Sequence, residues 1–141
     1  MIDIASMVNT QHKFKIRRSA PGMGLGLFAV APIRKGEFVI EYTGELISNE
    51  EADKRRHTKY LFEVDDHTTI DGAARSNAAR YMNHFCKPNV EAEIEAGQIN
   101  FYALRNIEAG EELGYDYGKE YIDEFIKPHG CKCPKHARKQ A

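Results

Sequence analysis

Asn83 and His84 stand inside Arg80-Tyr81-Met82-Asn83-His84-Phe85-Cys86-Lys87-Pro88-Asn89, which gathers a guanidinium, a phenol, an amide, an imidazole and a thiol in one short stretch. About twenty residues later comes Gly110-Glu111-Glu112-Leu113-Gly114-Tyr115-Asp116-Tyr117-Gly118, where an extended backbone turns Tyr115 and Tyr117 to the same side. An Asn amide offers both a donor and an acceptor, which suits a zwitterionic ligand, and the backbone at His84 offers an edge for a heteroaromatic ring. Taken alone, the pair reads better as an Asn-capped turn followed by a core histidine. Upstream, Gly22, Gly24 and Gly26 alternate, so the backbone can take positive φ and approach a ligand without Cβ interference. No P-loop Lys-Ser/Thr follows and no long helix opens there, which argues against a phosphate loop or a dinucleotide fold.

The elements that must hold these residues are mostly strands. Lys13 to Arg18, Leu27 to Ala31, Phe38 to Thr43, Tyr60 to Val64, Thr68 to Asp71, Val90 to Ile94 and Ile99 to Leu104 are short runs rich in β-branched or aromatic residues, bounded by turn formers or charges. Ala31-Pro32-Ile33-Arg34-Lys35-Gly36 and Asn106-Ile107-Glu108-Ala109-Gly110 read as a similar turn used twice. Ser48-Asn49-Glu50-Glu51 fits a capping box and predicts a polar helix to about Lys59. A second short helix is expected over Ala73 to Tyr81, and a third over Glu120 to Phe125, ending before Pro128. The fold class is mainly β with short helices, in several small curved sheets.

At 141 residues, 42% apolar and 29% charged, the chain reads as one soluble globular unit. No run approaches the roughly 20 apolar residues of a membrane span, and Met1 to Asn9 lacks the basic front of a signal peptide. A cytoplasmic location is expected, or a nuclear one in a eukaryote. The net charge of −1 conceals a basic end: residues 127–141 hold Lys127, Lys132, Lys135, Arg138 and Lys139 with no acid, which leaves 15 basic against 21 acidic groups, net −6, in residues 1–126. Such a body attracts a basic peptide and repels nucleic acid phosphate. The plainer reading is that these charges only solvate the surface.

Four ordered segments resemble the SET-domain lysine methyltransferases: Gly22-Met23-Gly24-Leu25-Gly26-Leu27-Phe28-Ala29 the opening glycine turn, Ile70-Asp71-Gly72 the middle strand, and the two stretches above the halves of the active site. The resemblance spans nearly the whole chain, with residues 1–126 as the SET domain and 127–141 as a tail of the post-SET kind. It implies a β-clip-like fold with a pseudoknot-like C-terminal site. It also implies S-adenosylmethionine as methyl donor, held by Gly24, Leu25, Gly26, Asn83 and the His84 backbone, with Asn77, Arg80 and Tyr81 around them. Tyr117 matches the family's essential tyrosine, and Tyr115 the neighbour whose hydroxyl limits methylation to one or two methyl groups. Tyr42, Tyr60 and Phe62 are expected to line the lysine channel, Tyr102 and Tyr121 to be ordinary strand tyrosines, and Asp116 to brace a loop rather than act as a base.

Cys86 and Cys131-x-Cys133 resemble the zinc-binding cysteines of many SET enzymes. A closed zinc site needs four ligands. Where the usual fourth cysteine would fall, this chain has Arg138; His136 would replace it, and the alternative is three reduced thiols and a basic tail. Two departures stand out: Ser76-Asn77 where the family more often has Gly-Asn, which would strain Ser76 if φ is positive there, and Phe85 where a small Ser is usual. The implied partner is a protein or peptide bearing a lysine, basic in character, such as a histone or histone-like tail; the oligomeric state is open. The rival readings are a catalytically silent SET-like module that binds basic peptides, and a zinc-stapled interaction protein.

Overall fold

A computed structural model describes residues 14–20, 24–56 and 58–118. Ten strands occur among them: β1 Phe14–Arg18, β2 Leu25–Ala29, β3 Phe38–Tyr42, β4 Glu45–Ser48, β5 Leu61–Glu63, β6 Thr68–Asp71, β7 Asn83–His84, β8 Val90–Glu95, β9 Gln98–Ala103 and β10 Glu112–Tyr115. They form three small sheets, ordered β1-β2-β10-β7, β3-β9-β8 and β4-β6-β5. Each of the seven strand-like runs of the sequence overlaps a strand, and the mainly β class holds. Leu27, Val39, Tyr42, Ile70, Met82, Val90, Ile99, Phe101, Ile107 and Leu113 make one core to which all three sheets contribute. Among the described residues no helix is long and apolar enough to cross a membrane.

The two similar turns turn out to be partners. Ile33 and Ile107 exchange both backbone hydrogen bonds, at 2.9 and 2.7 Å. Gly36 N–H donates to Ala103 and Gly110 N–H to Ala29, both at 2.7 Å, while Ala29 N–H donates to Glu111 and Ala103 N–H to Glu37. The turns thus bond to each other through Ile33 and Ile107 and to the ends of β2 and β9 through their glycines, and glycine is favoured at both ends because φ is +84° at Gly36 and +92° at Gly110. This clip brings the end of β2 beside the start of β10.

The helices are shorter than the sequence suggests. Ser48 caps α1, accepting from Glu51 N–H at 3.1 Å as the capping box requires, but α1 covers only Asn49–Lys54. Only Ala52 is buried on it, so no apolar stripe supports a longer helix. Arg55 ends it and anchors it to the sheet, donating to Glu51 at 2.8 Å, Asp71 at 2.9 Å and Glu45 at 3.2 Å. In the segment expected as a second helix, only a 3₁₀ turn at Ala78–Tyr81 forms. Asn77, just before it, spends its side chain on the backbone of other segments instead, donating to Gly72 O and accepting from Thr43 N–H. The expected third helix lies outside the described residues. Ala96 is the one non-glycine with positive φ among them, so Ser76 carries no such strain.

Strands β4, β7 and β10 escaped the sequence pattern. β4 buries only Ile47, and β7 has two residues, too few for an alternation to show. β10 carries Gly114 in its interior, normally a mark against a strand. It runs antiparallel to β2 and parallel to β7, and the segment after β7 crosses it: Phe85 N–H donates to Tyr115 O and Asn89 N–H to Gly114 O. That crossing is the pseudoknot-like arrangement the resemblance implied.

Candidate active site

One corner is built where β2, β7 and β10 meet. Gly24 has φ +68° and is exposed, and its carbonyl accepts from Ser19 N–H at 2.7 Å, which sets the entry to β2. Asn83 reaches across from β7, its Nδ2 donating to Leu25 O at 3.0 Å and to the Glu112 carboxylate at 2.8 Å. Glu112 also accepts from the Ser19 hydroxyl at 2.6 Å. Gly26 makes room for this cluster, since a Cβ there would stand 2.4 Å from Glu112 Oε2. Gly24, Leu25, Gly26 and Asn83 are therefore assembled in one place. Gly22 lies outside the described residues.

The second corner is organised by the buried His84 ring. Its Nδ1 accepts from Tyr117 N–H at 3.1 Å, which leaves Nε2 as the protonated nitrogen, facing Cys86 Sγ at 3.4 Å. The Tyr117 hydroxyl donates to Met82 O. Tyr117 is thus tied to the residues on both sides of Asn83. Asp116 Oδ1 accepts from Gly118 N–H at 2.9 Å, the loop-bracing part expected of it. Asn89, 2% exposed, donates to Glu112 O at 2.8 Å and accepts from Gly114 N–H at 2.9 Å, clasping β10 from the crossing segment. Asn89→Ala strands a buried N–H and a buried C=O, so a loss of about 2–4 kcal/mol is expected in denaturant unfolding. An unchanged midpoint would mean that water replaces the amide.

A run of rings joins this corner to the sheets. Tyr117 lies 4.6 Å from Tyr115, Tyr115 4.7 Å from Phe101 and 6.2 Å from Phe62, and Phe62 5.3 Å from Tyr42. Strands from all three sheets contribute, so the rings meet only in the folded chain. Of the expected channel residues, Phe62 stacks on Tyr115. Tyr42 packs behind it, 3% exposed, with its hydroxyl donated to Tyr60 O at 2.8 Å. Tyr60 instead turns its ring to Arg80, whose guanidinium carbon sits 4.2 Å above the ring and 5.2 Å from the Tyr81 ring. Contact with Tyr60 is the main cause that holds Arg80 above its ordinary pKa, so the group is a permanent cation.

The Asn77 amide bonds Gly72 O and Thr43 N–H, and the absent Cβ of Gly72 leaves room for it and the Tyr42 ring. It braces the frame behind the site. Cys86 is partly buried; Cys131, Cys133 and His136 lie outside the described residues. Among the described residues, no three His, Cys, Asp or Glu side chains are grouped to hold a metal. Tyr102 is a strand residue bonded to Glu95, as expected. Three residues of the site were not singled out in the sequence: Phe101, an ordinary position in an alternating strand; Glu112, one of two adjacent glutamates; and Asn89, which reads as a turn former after Pro88.

The SET domain family model matches residues 24–118. Human histone-lysine N-methyltransferase EHMT1 is 39% identical over 123 residues, covering 79% of this chain and 10% of the relative. Histone-lysine N-methyltransferase set1 of Dictyostelium discoideum is 40% identical over 146 residues, covering 95% of this chain and 10% of the relative. A chain of ctPRC2, the Chaetomium thermophilum Polycomb Repressive Complex 2, solved in an autoinhibited conformation bound to S-adenosylmethionine, superposes with TM-score 0.69 at 38% identity. That match covers 74% of this chain and 15% of the other. The chain thus spans about a tenth of the length of the two curated relatives. By the match over residues 24–118 and by these relatives, the chain belongs to the SET-domain family.

Proposed function

We propose that this chain is a protein-lysine N-methyltransferase that uses S-adenosylmethionine and acts on a basic, lysine-bearing peptide such as a histone or histone-like tail. The observation that carries this reading is the double tie of Tyr117 to Met82 O and His84 Nδ1, which sets a phenol and a row of rings against the corner holding Asn83. A similar ctPRC2 chain was solved bound to S-adenosylmethionine, and the relatives' names specify histone lysine. The acidic balance of residues 1–126, net −6, favours a cationic peptide over nucleic acid.

S-adenosylmethionine supplies an electrophilic methyl group on a sulfonium. A free lysine, pKa about 10.4, is almost wholly protonated at neutral pH. The rings of Phe62, Tyr115 and Tyr117, backed by the buried Phe101, would strip water from the ammonium and lower its pKa. Held by Gly24, Leu25, Gly26 and Asn83, the donor would supply that methyl group to the neutral amine, its sulfur keeping the electron pair of the C–S bond and the methylated amine releasing a proton to solvent. The Tyr117 hydroxyl and nearby main-chain carbonyls orient the nitrogen and polarise the methyl hydrogens. Alignment of two bound reactants supplies roughly 7–11 kcal/mol, so no carboxylate base is needed.

Tyr115 sits in the middle of the ring row, between Phe62, Phe101 and Tyr117. A hydroxyl there occupies space that further methyl groups need, so the product is mono- or dimethyl-lysine. Tyr115→Phe is expected to shift the products towards higher methylation, read by mass spectrometry of a peptide; trimethylation by the unmutated protein would sink the assignment. Zinc bound by Cys86 together with Cys131, Cys133 and His136 of residues 127–141 is part of the same proposal. A partly exposed thiol facing His84 Nε2–H is compatible with a ligating thiolate. Metal content near one equivalent, lost in Cys133→Ser, checks it.

Labelled S-adenosylmethionine incubated with histones and with lysate tests the main reading. Label on lysine after hydrolysis is the expected result. Peptide affinity with no label would favour a silent module that binds basic peptides.

A further inference from the structure

We propose that Glu112 is a positioning residue for the methyl donor: it fixes the polarity of the Asn83 amide so that only an acceptor is presented to the ligand. The inference rests on the assignment of Asn83 to the amino-acid end of S-adenosylmethionine and deepens it.

Asn83 Nδ2 has two hydrogens, and two acceptors face it: Leu25 O at 3.0 Å and Glu112 Oε2 at 2.8 Å. Both hydrogens are used within the protein. A flipped amide would set Oδ1 against a carbonyl oxygen and a carboxylate at once, three acceptors with no hydrogen between them. Asn and Gln orientations are settled by such networks, and here the network permits one. Oδ1 accepts from no described group, so it is the side of the amide left for a ligand. An acceptor beside an anionic carboxylate suits an ammonium and is wrong for a carboxylate. Glu112 is itself held: the Ser19 hydroxyl donates to Oε1 at 2.6 Å, and Gly26 lacks the Cβ that would displace Oε2. No described cation pairs with it, so its charge stays directed at this corner.

Asn83 without Glu112 loses one of two restraints and can present either face. The effect should fall on ligands that carry the amino-acid end. Methylthioadenosine, which keeps the adenosine and thioether but lacks that end, is the probe that separates local polarity from general collapse of the corner.

Affinities of the full chain for S-adenosylmethionine and methylthioadenosine are to be measured by calorimetry for wild type, Glu112→Ala, Glu112→Gln, Glu112→Asp and Asn83→Ala. Glu112→Ala should weaken S-adenosylmethionine by about tenfold or more, the scale of one lost charge-assisted hydrogen bond, and methylthioadenosine by less than about twofold. Glu112→Gln can still accept from Asn83 while donating to Ser19, and should recover most of the loss. Glu112→Asp keeps the charge but falls short of Asn83, so it must show the same selective loss even if the alanine variant does not fold. In turnover, the loss should appear in KM for S-adenosylmethionine and not in KM for the peptide. Equal weakening of both ligands, or no weakening, overturns the role of Glu112. If Asn83→Ala leaves the ratio of the two affinities at its wild-type value, the assignment of Asn83 fails and takes the inference with it; a shifted ratio in Asn83→Ala with none in the Glu112 variants sinks Glu112 alone.

Discussion

Tyr117→Phe is expected to lower methyl transfer by about a hundredfold while leaving the fold and the affinity for S-adenosylmethionine nearly intact. The ring of Tyr117 contacts Tyr115 at 4.6 Å and His84 at 5.5 Å, and phenylalanine keeps both. Its backbone N–H still donates to His84 Nδ1, so the segment stays in place. Only the hydroxyl goes, and with it the bond to Met82 O, which is worth about 1 kcal/mol to stability. The cost should therefore appear in kcat, because the hydroxyl orients the amine only when both reactants are bound. Single-turnover rates with saturating donor and peptide make the measurement. A phenylalanine variant within about threefold of wild type would move the orienting role to another group, and the row of rings would be left as a binding surface.

The second large effect is on stability. In Gly114→Ala, the new Cβ would stand 2.2 Å from Phe85 Cγ and 2.3 and 2.4 Å from the two Cδ atoms, so it meets the face of the ring. Neither partner can retreat. Phe85 is 7% exposed, and Gly114 is held by Asn89 on one side and by pairing with β7 on the other. Overpacking of this kind costs about 3 kcal/mol or more, and the unfolding midpoint should fall accordingly. The cause can be isolated, because Phe85→Ser removes the ring. Adding Gly114→Ala to a Phe85→Ser protein should then cost nothing further, a non-additivity that contact between the two residues requires. Additive losses would mean that Gly114 is needed for its backbone and not for the space above it. The large residue at 85 and the missing side chain at 114 are thus one feature of this chain, and Phe85 serves as a wall of the β7–β10 crossing.

The same pair shows where sequence reading reached its limit. Phe85 stood out as a departure, and Gly114 drew no notice in the sequence; each made sense only beside the other, 29 positions apart. The clip behaves differently. Ala31 to Gly36 and Asn106 to Gly110 were legible as a repeated turn because their composition is alike, yet their mutual hydrogen bonds link residues far apart in sequence and leave no local mark. Helix lengths were misjudged for a related reason. Asn77 and Arg55 sit in segments with fair helical composition, but their side chains bond to β-strands and loops that the local window does not contain.

Motif order and residue types by themselves determined the family, the strand-rich class and the grouping of Asn83, Tyr115 and Tyr117, because side-chain chemistry and period-two alternation are local properties. Which atom of Asn83 faces outward, that Tyr60 stacks on Arg80 while Phe62 meets Tyr115, and that His84 supports Tyr117 through its ring were decided only in the tertiary structure. Each depends on a partner from a different segment, and hydrogen-bond polarity and ring packing have no value until both partners are placed.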